Sequence, residues 1–147
     1  MGFLSQLLGP KLAEPVLREY FATVAHGLNI WAEPTRKAGG LKWDTVAGLE
    51  RSARFEAFQK RGASDPGLER VCFLALCSMF GVDAADFSRF IDLDAAWNAG
   101  QDWFKEFPDD EERAYYEMTE RPARRYPSSR DALAIGMNEA KRILRGS

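Results

Sequence analysis

The sequence predicts an all-α protein, a single compact bundle of six or seven short helices with little or no sheet. Three observations predict it. Apolar residues recur in steps of three and four with little period-2 alternation. The intervals between them are short and carry Gly, Pro and acidic cap residues. Finally, 147 residues, 46% hydrophobic and 29% charged, can enclose a core without disulfides or metal. Residues 1–147 therefore read as one all-α domain, with no repeat, low-complexity tract or long linker to divide it.

Residues 1–9 form an apolar segment in which Phe3, Leu4, Leu7 and Leu8 either dock on the domain or serve as an exposed anchor. Glu14-Pro15 marks a helix start, and Leu17, Phe21, Val24, Leu28 and Trp31 then define one apolar face. Gly27 is a weak point, beyond which Leu28–Trp31 has an extended alternative; Pro34 and Gly39-Gly40 mark the following loop. The second helix starts at Asp44 or Thr45, either able to cap it, and runs to about Arg61. Val46, Leu49, Ala53 and Phe55–Phe58 face inward, while Glu50, Arg51, Arg54 and Lys60 face water. Asp65-Pro66 opens a third helix that carries no charge after Arg70 and ends at Gly81, which makes it the expected central buried helix. Asp83 caps a short fourth helix whose inner face is Phe87, Phe90 and Ile91. Asp94 caps a fifth, Ala95 to Phe107, stopped by Pro108. Asp109 and Asp110 start a sixth that ends before Pro122, and Ser128 caps the last, with Leu133, Met137, Ala140 and Leu144 on its inner face.

The opening residues lack the early Lys or Arg of a secretory signal, and Gln6 stands where a myristoylation motif needs Ser or Thr. The longest uncharged apolar stretch, Val71 to Val82, is short of the ~20 residues of a membrane span. On a helix, Cys72 and Cys77 point about 140° apart and cannot pair, so both read as buried free thiols. The expected compartment is the reducing cytoplasm.

Net charge is only −2, but it is unevenly placed. Residues 83–112 hold ten Asp/Glu against two Lys/Arg, a charge of −8, whereas residues 113–147 hold eight Lys/Arg against four Asp/Glu, +4. The acidic stretch has two readings: helix caps and internal ion pairs, or a surface that steers a basic partner. On the second, the candidate partner-binding residues are Asp102, Glu106, Asp109, Asp110, Glu111 and Glu112, with Trp103 as an apolar contact. The basic stretch concentrates Arg121, Arg124, Arg125 and Arg130 before a helix start, a pattern that suits a bound anion or nucleic-acid phosphate. The same arginines equally suit helix C-termini, whose dipoles favour cations.

No catalytic, cofactor or metal motif emerges. His26 is the only histidine and no sequence feature sets it beside a thiol or hydroxyl. Asp92-Leu93-Asp94 begins like a calcium loop, but Ala96 and Trp97 occupy later ligand and glycine places. Gly39-Gly40 lacks the following Lys-Ser/Thr of a phosphate loop. The expected function is a small cytoplasmic protein-binding module, of an adaptor, immunity/antitoxin-like or inhibitor kind, with no cofactor or metal and a partner presenting a basic surface. Nucleic acid is disfavoured as a partner. The alternatives are an anion or nucleic-acid binder through Arg121–Arg130, or an enzyme whose carboxylate and arginine site leaves no short motif.

Overall fold

Each apolar stripe in the sequence needs a partner surface, and among the described residues six helices supply it. The computed structural model describes residues 3–32, 41–99 and 109–146, and among these the side chains of all but residues 3–12, 32 and 109. The helices are α1 (Phe3–Gly27), α2 (Trp43–Ala57), α3 (Pro66–Phe80), α4 (Ala84–Ala99), α5 (Asp109–Thr119) and α6 (Ser129–Gly146). A π-helical turn, Leu28–Ala32, extends α1, and a 3-10 turn, Gln59–Arg61, follows α2. Among the described residues there is no strand, and the fold is all-α. Buried residues from all six helices form one contiguous core.

α1, rather than α3, is the hub: it packs most extensively on α2 and α6, and α3 packs mainly on α6. α1 begins at Phe3, well before the expected start at Pro15. Pro15 lies inside the helix at an exposed position, where water can replace the hydrogen bond its ring removes. Leu17, Phe21, Val24 and Leu28 are buried as the spacing predicts. Trp31 is not. The π turn places more residues in one turn than the α period, rotating Trp31 off the apolar stripe to 51% exposure. Close α1–α6 packing depends on Gly136, where a Cβ would collide with the Phe21 ring.

Neither Asp44 nor Thr45 caps α2. Its N-cap is Lys42, with no side-chain cap bond. An isolated antiparallel bridge, Lys42 to Pro122, does that work: Trp43 N–H donates to the Arg121 carbonyl at 2.8 Å, and Ala123 N–H donates to the Leu41 carbonyl at 2.7 Å. Two residues on α2 reverse expectation, Glu50 being 4% exposed and Phe55 48%. α3 follows its signals. Asp65 accepts from Leu68 N–H at 3.1 Å, Pro66 opens the helix, and Gly81 closes it at φ 62°.

Asp83 caps α4 as expected, accepting from Asp86 N–H at 2.9 Å. Asp94, however, caps nothing. α4 runs unbroken through it to Ala99, because no Gly or Pro interrupts 84–99 and Ala95-Ala96 favour helix. α5 starts at Asp109 and ends before Pro122. Ser128 and Asp131 form a reciprocal cap on α6: Ser128 Oγ accepts from Asp131 N–H at 3.2 Å and its hydroxyl donates to the Asp131 carboxylate at 2.9 Å.

Candidate functional site

α5 is short and strongly two-sided. Its inner side carries Tyr115 and Met118, each 5% exposed. Outward, at helical steps, lie the exposed Asp110, Arg113, Tyr116 and Glu117, with Glu120 just past the helix end. Tyr116 is 49% exposed and sits edge-on to Trp97. Glu120 is paired with Lys42. Among the described residues, no ion pair engages Asp110, Glu111 or Glu112; Asp110 is exposed, and Glu111 and Glu112 are half-buried at the start of α5. Of the expected partner-binding set, Asp102, Trp103 and Glu106 lie outside the described residues. Asp109 is the first residue of α5, and its side chain lies outside them too. Tyr116, Glu117 and Glu120 belong to this face and were not singled out from the sequence, although their spacing from Arg113 is a legible helical stripe.

Three other carboxylates of the acidic segment, Asp83, Asp86 and Asp94, have partners within the fold. Asp83 is a cap, and Asp86 lies 4.0 Å from Arg121. Asp94, 4% exposed, receives Nη2 of Arg51 on α2 at 2.5 Å and the Tyr115 hydroxyl of α5 at 2.9 Å. One carboxylate thus joins three helices. Burial pushes the Tyr115 hydroxyl up from its ordinary titration range, and its hydrogen bond to the Asp94 carboxylate pushes it further. Desolvation also raises Asp44, with the Asp94 charge adding to it. Aromatic contacts complete the attachment. Phe90 and Trp97 stack on Tyr115 at 5.7 and 5.2 Å, and Phe87 stacks on Phe73 of α3 at 5.9 Å.

A second buried carboxylate lies one residue before Arg51. Glu50 is paired with Arg54 at 3.4 Å, and burial raises its pKa against the opposing pull of Arg54 and Arg51. The adjacent Tyr20 hydroxyl is buried without a well-formed hydrogen bond. Nothing in the sequence marks Glu50 or Asp94 as buried, since a carboxylate on an amphipathic helix ordinarily faces water.

The four arginines are divided among separate tasks. The Arg121 guanidinium lies over the Trp43 ring, 4.7 Å from its centroid, beside Asp86. Arg125 N–H donates to the Phe80 carbonyl at 3.1 Å, and its side chain reaches the Ser78 carbonyl at 3.5 Å, serving the C-terminus of α3. Arg124 and Arg125 border a cavity of about 370 Å³ that also takes in Asp83 but neither Arg121 nor Arg130. Arg130 is exposed in the first turn of α6. The cavity lies between the carbonyl end of α3 and the Asp83-capped start of α4.

Both thiols are buried, and desolvation pushes Cys77 up to about 12 and Cys72 higher still, so neither is poised as a thiolate. Asp92 and Asp94 lie on a continuous helix, not in a calcium loop. Among the described residues, no group of three His, Cys, Asp or Glu is arranged to hold a metal, and no single helix is long and apolar enough to cross a membrane. No protein-family model, curated protein or solved structure matches the chain.

Proposed function

We propose that the chain is a cytoplasmic protein-binding module that receives a basic partner surface on the outer face of α5. One observation carries the reading: a half-exposed tyrosine, Tyr116, stands among the exposed carboxylates of one helix face while Asp110, Glu111 and Glu112 have no ion pair among the described residues. Tyrosine supplies large contact area at small entropic cost and is enriched where interface energy concentrates. Unpaired carboxylates around it speed encounter with a cationic surface and fix its register more than they add affinity. The free, buried thiols suit a reducing compartment.

The test is affinity capture from the cells that make the protein, with three baits: wild type, Tyr116→Ala, and Asp110→Lys combined with Glu117→Lys. A protein held by wild type at low salt, released at moderate salt and lost from both folded variants supports the proposal. Equal capture by all three baits overturns it, since neither the ring nor the charge then contributes.

A further inference from the structure

The far side of α2 has a feature that the α5 face leaves unused. Between the end of α1 and the middle of α2 lies a groove of about 540 Å³, within the ~300–1,000 Å³ usual for small-molecule sites. Trp31 and Phe55, the two residues that the helical pattern assigns to the core and the structure exposes, both line it. Their exposure has a structural origin. The π turn carries Trp31 out of the α1 stripe, and π turns recur at functional sites. Gly27 also lines the groove, where a Cβ would stand 2.5 Å from Leu49 Cδ2 and 3.3 Å from the Trp31 ring. Two large aromatic side chains facing a shared concavity make a platform for a flat ring, since offset stacking adds to simple burial.

Of the polar groups around this platform, Arg51 only donates, Thr23, His26, Ser52 and Gln59 can donate or accept, and Glu56 accepts. Ser52, His26 and Arg51 line the groove with the two rings. Arg51 commits one nitrogen to Asp94, and its side chain is 56% exposed. A guanidinium has five N–H donors, so its remaining edge can receive a second acceptor. Glu56, the carboxylate bordering the groove, is already paired with Lys60 at 3.2 Å. The lone histidine shares the groove with Ser52 and Glu56, but no hydrogen bond links the three, so they do not form a nucleophile and base.

We propose that this groove binds a planar aromatic ring bearing an anionic group, the ring lying against Trp31 and Phe55 and the anion received by the free edge of Arg51. A phosphate on a nucleobase and a carboxylate on an indole or phenyl ring share this chemistry. Both sources are tested by titrating the ¹⁵N-labelled full chain with adenosine monophosphate and, separately, indole-3-acetate. Adenosine and indole serve as the uncharged counterparts.

At least one anion is expected to move the Trp31 indole and Arg51 side-chain resonances saturably with a Kd below about 1 mM. Its uncharged counterpart should bind at least about tenfold more weakly, the ratio one charge-assisted hydrogen bond supplies. The tighter of the two anions identifies the source. Trp31→Ala with Phe55→Ala should abolish the shift of the Arg51 side chain, the reporter this variant retains. Both side chains are half exposed, so this variant keeps the fold, and Ser52→Trp offers an independent block by filling the groove. Absence of saturation with either anion overturns the proposal, as does equal binding of the uncharged compounds or unchanged binding by either variant.

Discussion

Asp94 is the most consequential single carboxylate in the fold, and its removal tests whether it latches α5 to α2. In Asp94→Ala the Tyr115 hydroxyl, on a residue 5% exposed, loses its acceptor. An unsatisfied buried donor costs about 1–3 kcal/mol. Arg51 loses its partner as well, but a guanidinium side chain 56% exposed is rehydrated, so that part is worth only about 0–1 kcal/mol. The expected total is about 1–4 kcal/mol, a fall of roughly 0.5–2 M in the urea midpoint at an m-value of about 2 kcal/mol/M. Arg51→Ala leaves an ionised carboxylate at 4% exposure without its cation, with Tyr115 as its remaining side-chain donor. Arg51→Ala should therefore also lower the urea midpoint, because a buried carboxylate loses its cation. The assay is urea unfolding followed by far-UV circular dichroism, repeated across pH, with amide exchange along α5 to localise the loss. An Asp94→Ala midpoint corresponding to less than about 0.5 kcal/mol would refute the latch, because changes of that size are typical of surface positions.

Further outcomes follow from buried groups elsewhere. Gly136→Ala drives a methyl into the Phe21 ring and should cost about 1–3 kcal/mol, measured by the same unfolding assay. Glu50 has a folded pKa raised above its ordinary 4.5 by burial, so its favourable contribution is complete below that value and is lost as pH rises through the folded pKa. The stability of wild type minus that of Glu50→Gln should therefore increase as pH is lowered from neutrality, and a pH-independent difference would contradict the assignment. Cys72 and Cys77 should resist iodoacetamide in the native state and react at the rate of unfolding, since both are buried with raised pKa values; rapid native labelling followed by mass spectrometry would show otherwise.

Local chemistry made much of this fold legible. The Asp65-Pro66 start, the Gly81 stop, the Asp83 cap and the Ser128–Asp131 cap each depend on residues within three positions of one another, and each appears as the sequence predicts. The start of α2 was not legible, because its N–H partner is the carbonyl of Arg121 on a distant segment. Asp94 misled for a related reason. An aspartate before two alanines resembles a cap, but its partners, Arg51 and Tyr115, are 43 and 21 residues away. The apolar spacing assigns Phe55 and Trp31 to inner faces, and the structure exposes both, Trp31 through the π turn. Among site residues, the acidic start of α5 was visible in the charge pattern. The stripe through Arg113, Tyr116, Glu117 and Glu120 is legible in the spacing, but that it faces outward required the knowledge that Tyr115, not its neighbour, faces Asp94.

Arg51 connects the two halves of the functional reading. Its Nη2 holds Asp94, which in turn holds Tyr115 beneath the α5 face, and the same side chain borders the Trp31–Phe55 groove. An anion received by the free edge of Arg51 would share one guanidinium with Asp94 and feel the repulsion of its charge, so binding there and anchoring of α5 would be thermodynamically linked, and linkage is reciprocal. Neutralising the neighbouring carboxylate with Asp94→Asn should make the aromatic anion bind more tightly. Saturating anion should in turn speed amide exchange in α5 of the wild type. Tighter binding on the order of several-fold corresponds to about 1 kcal/mol, the lower end of ordinary coupling energies. Unchanged affinity in Asp94→Asn would mean that the two faces of Arg51 act independently and that the groove and the α5 surface report nothing to each other.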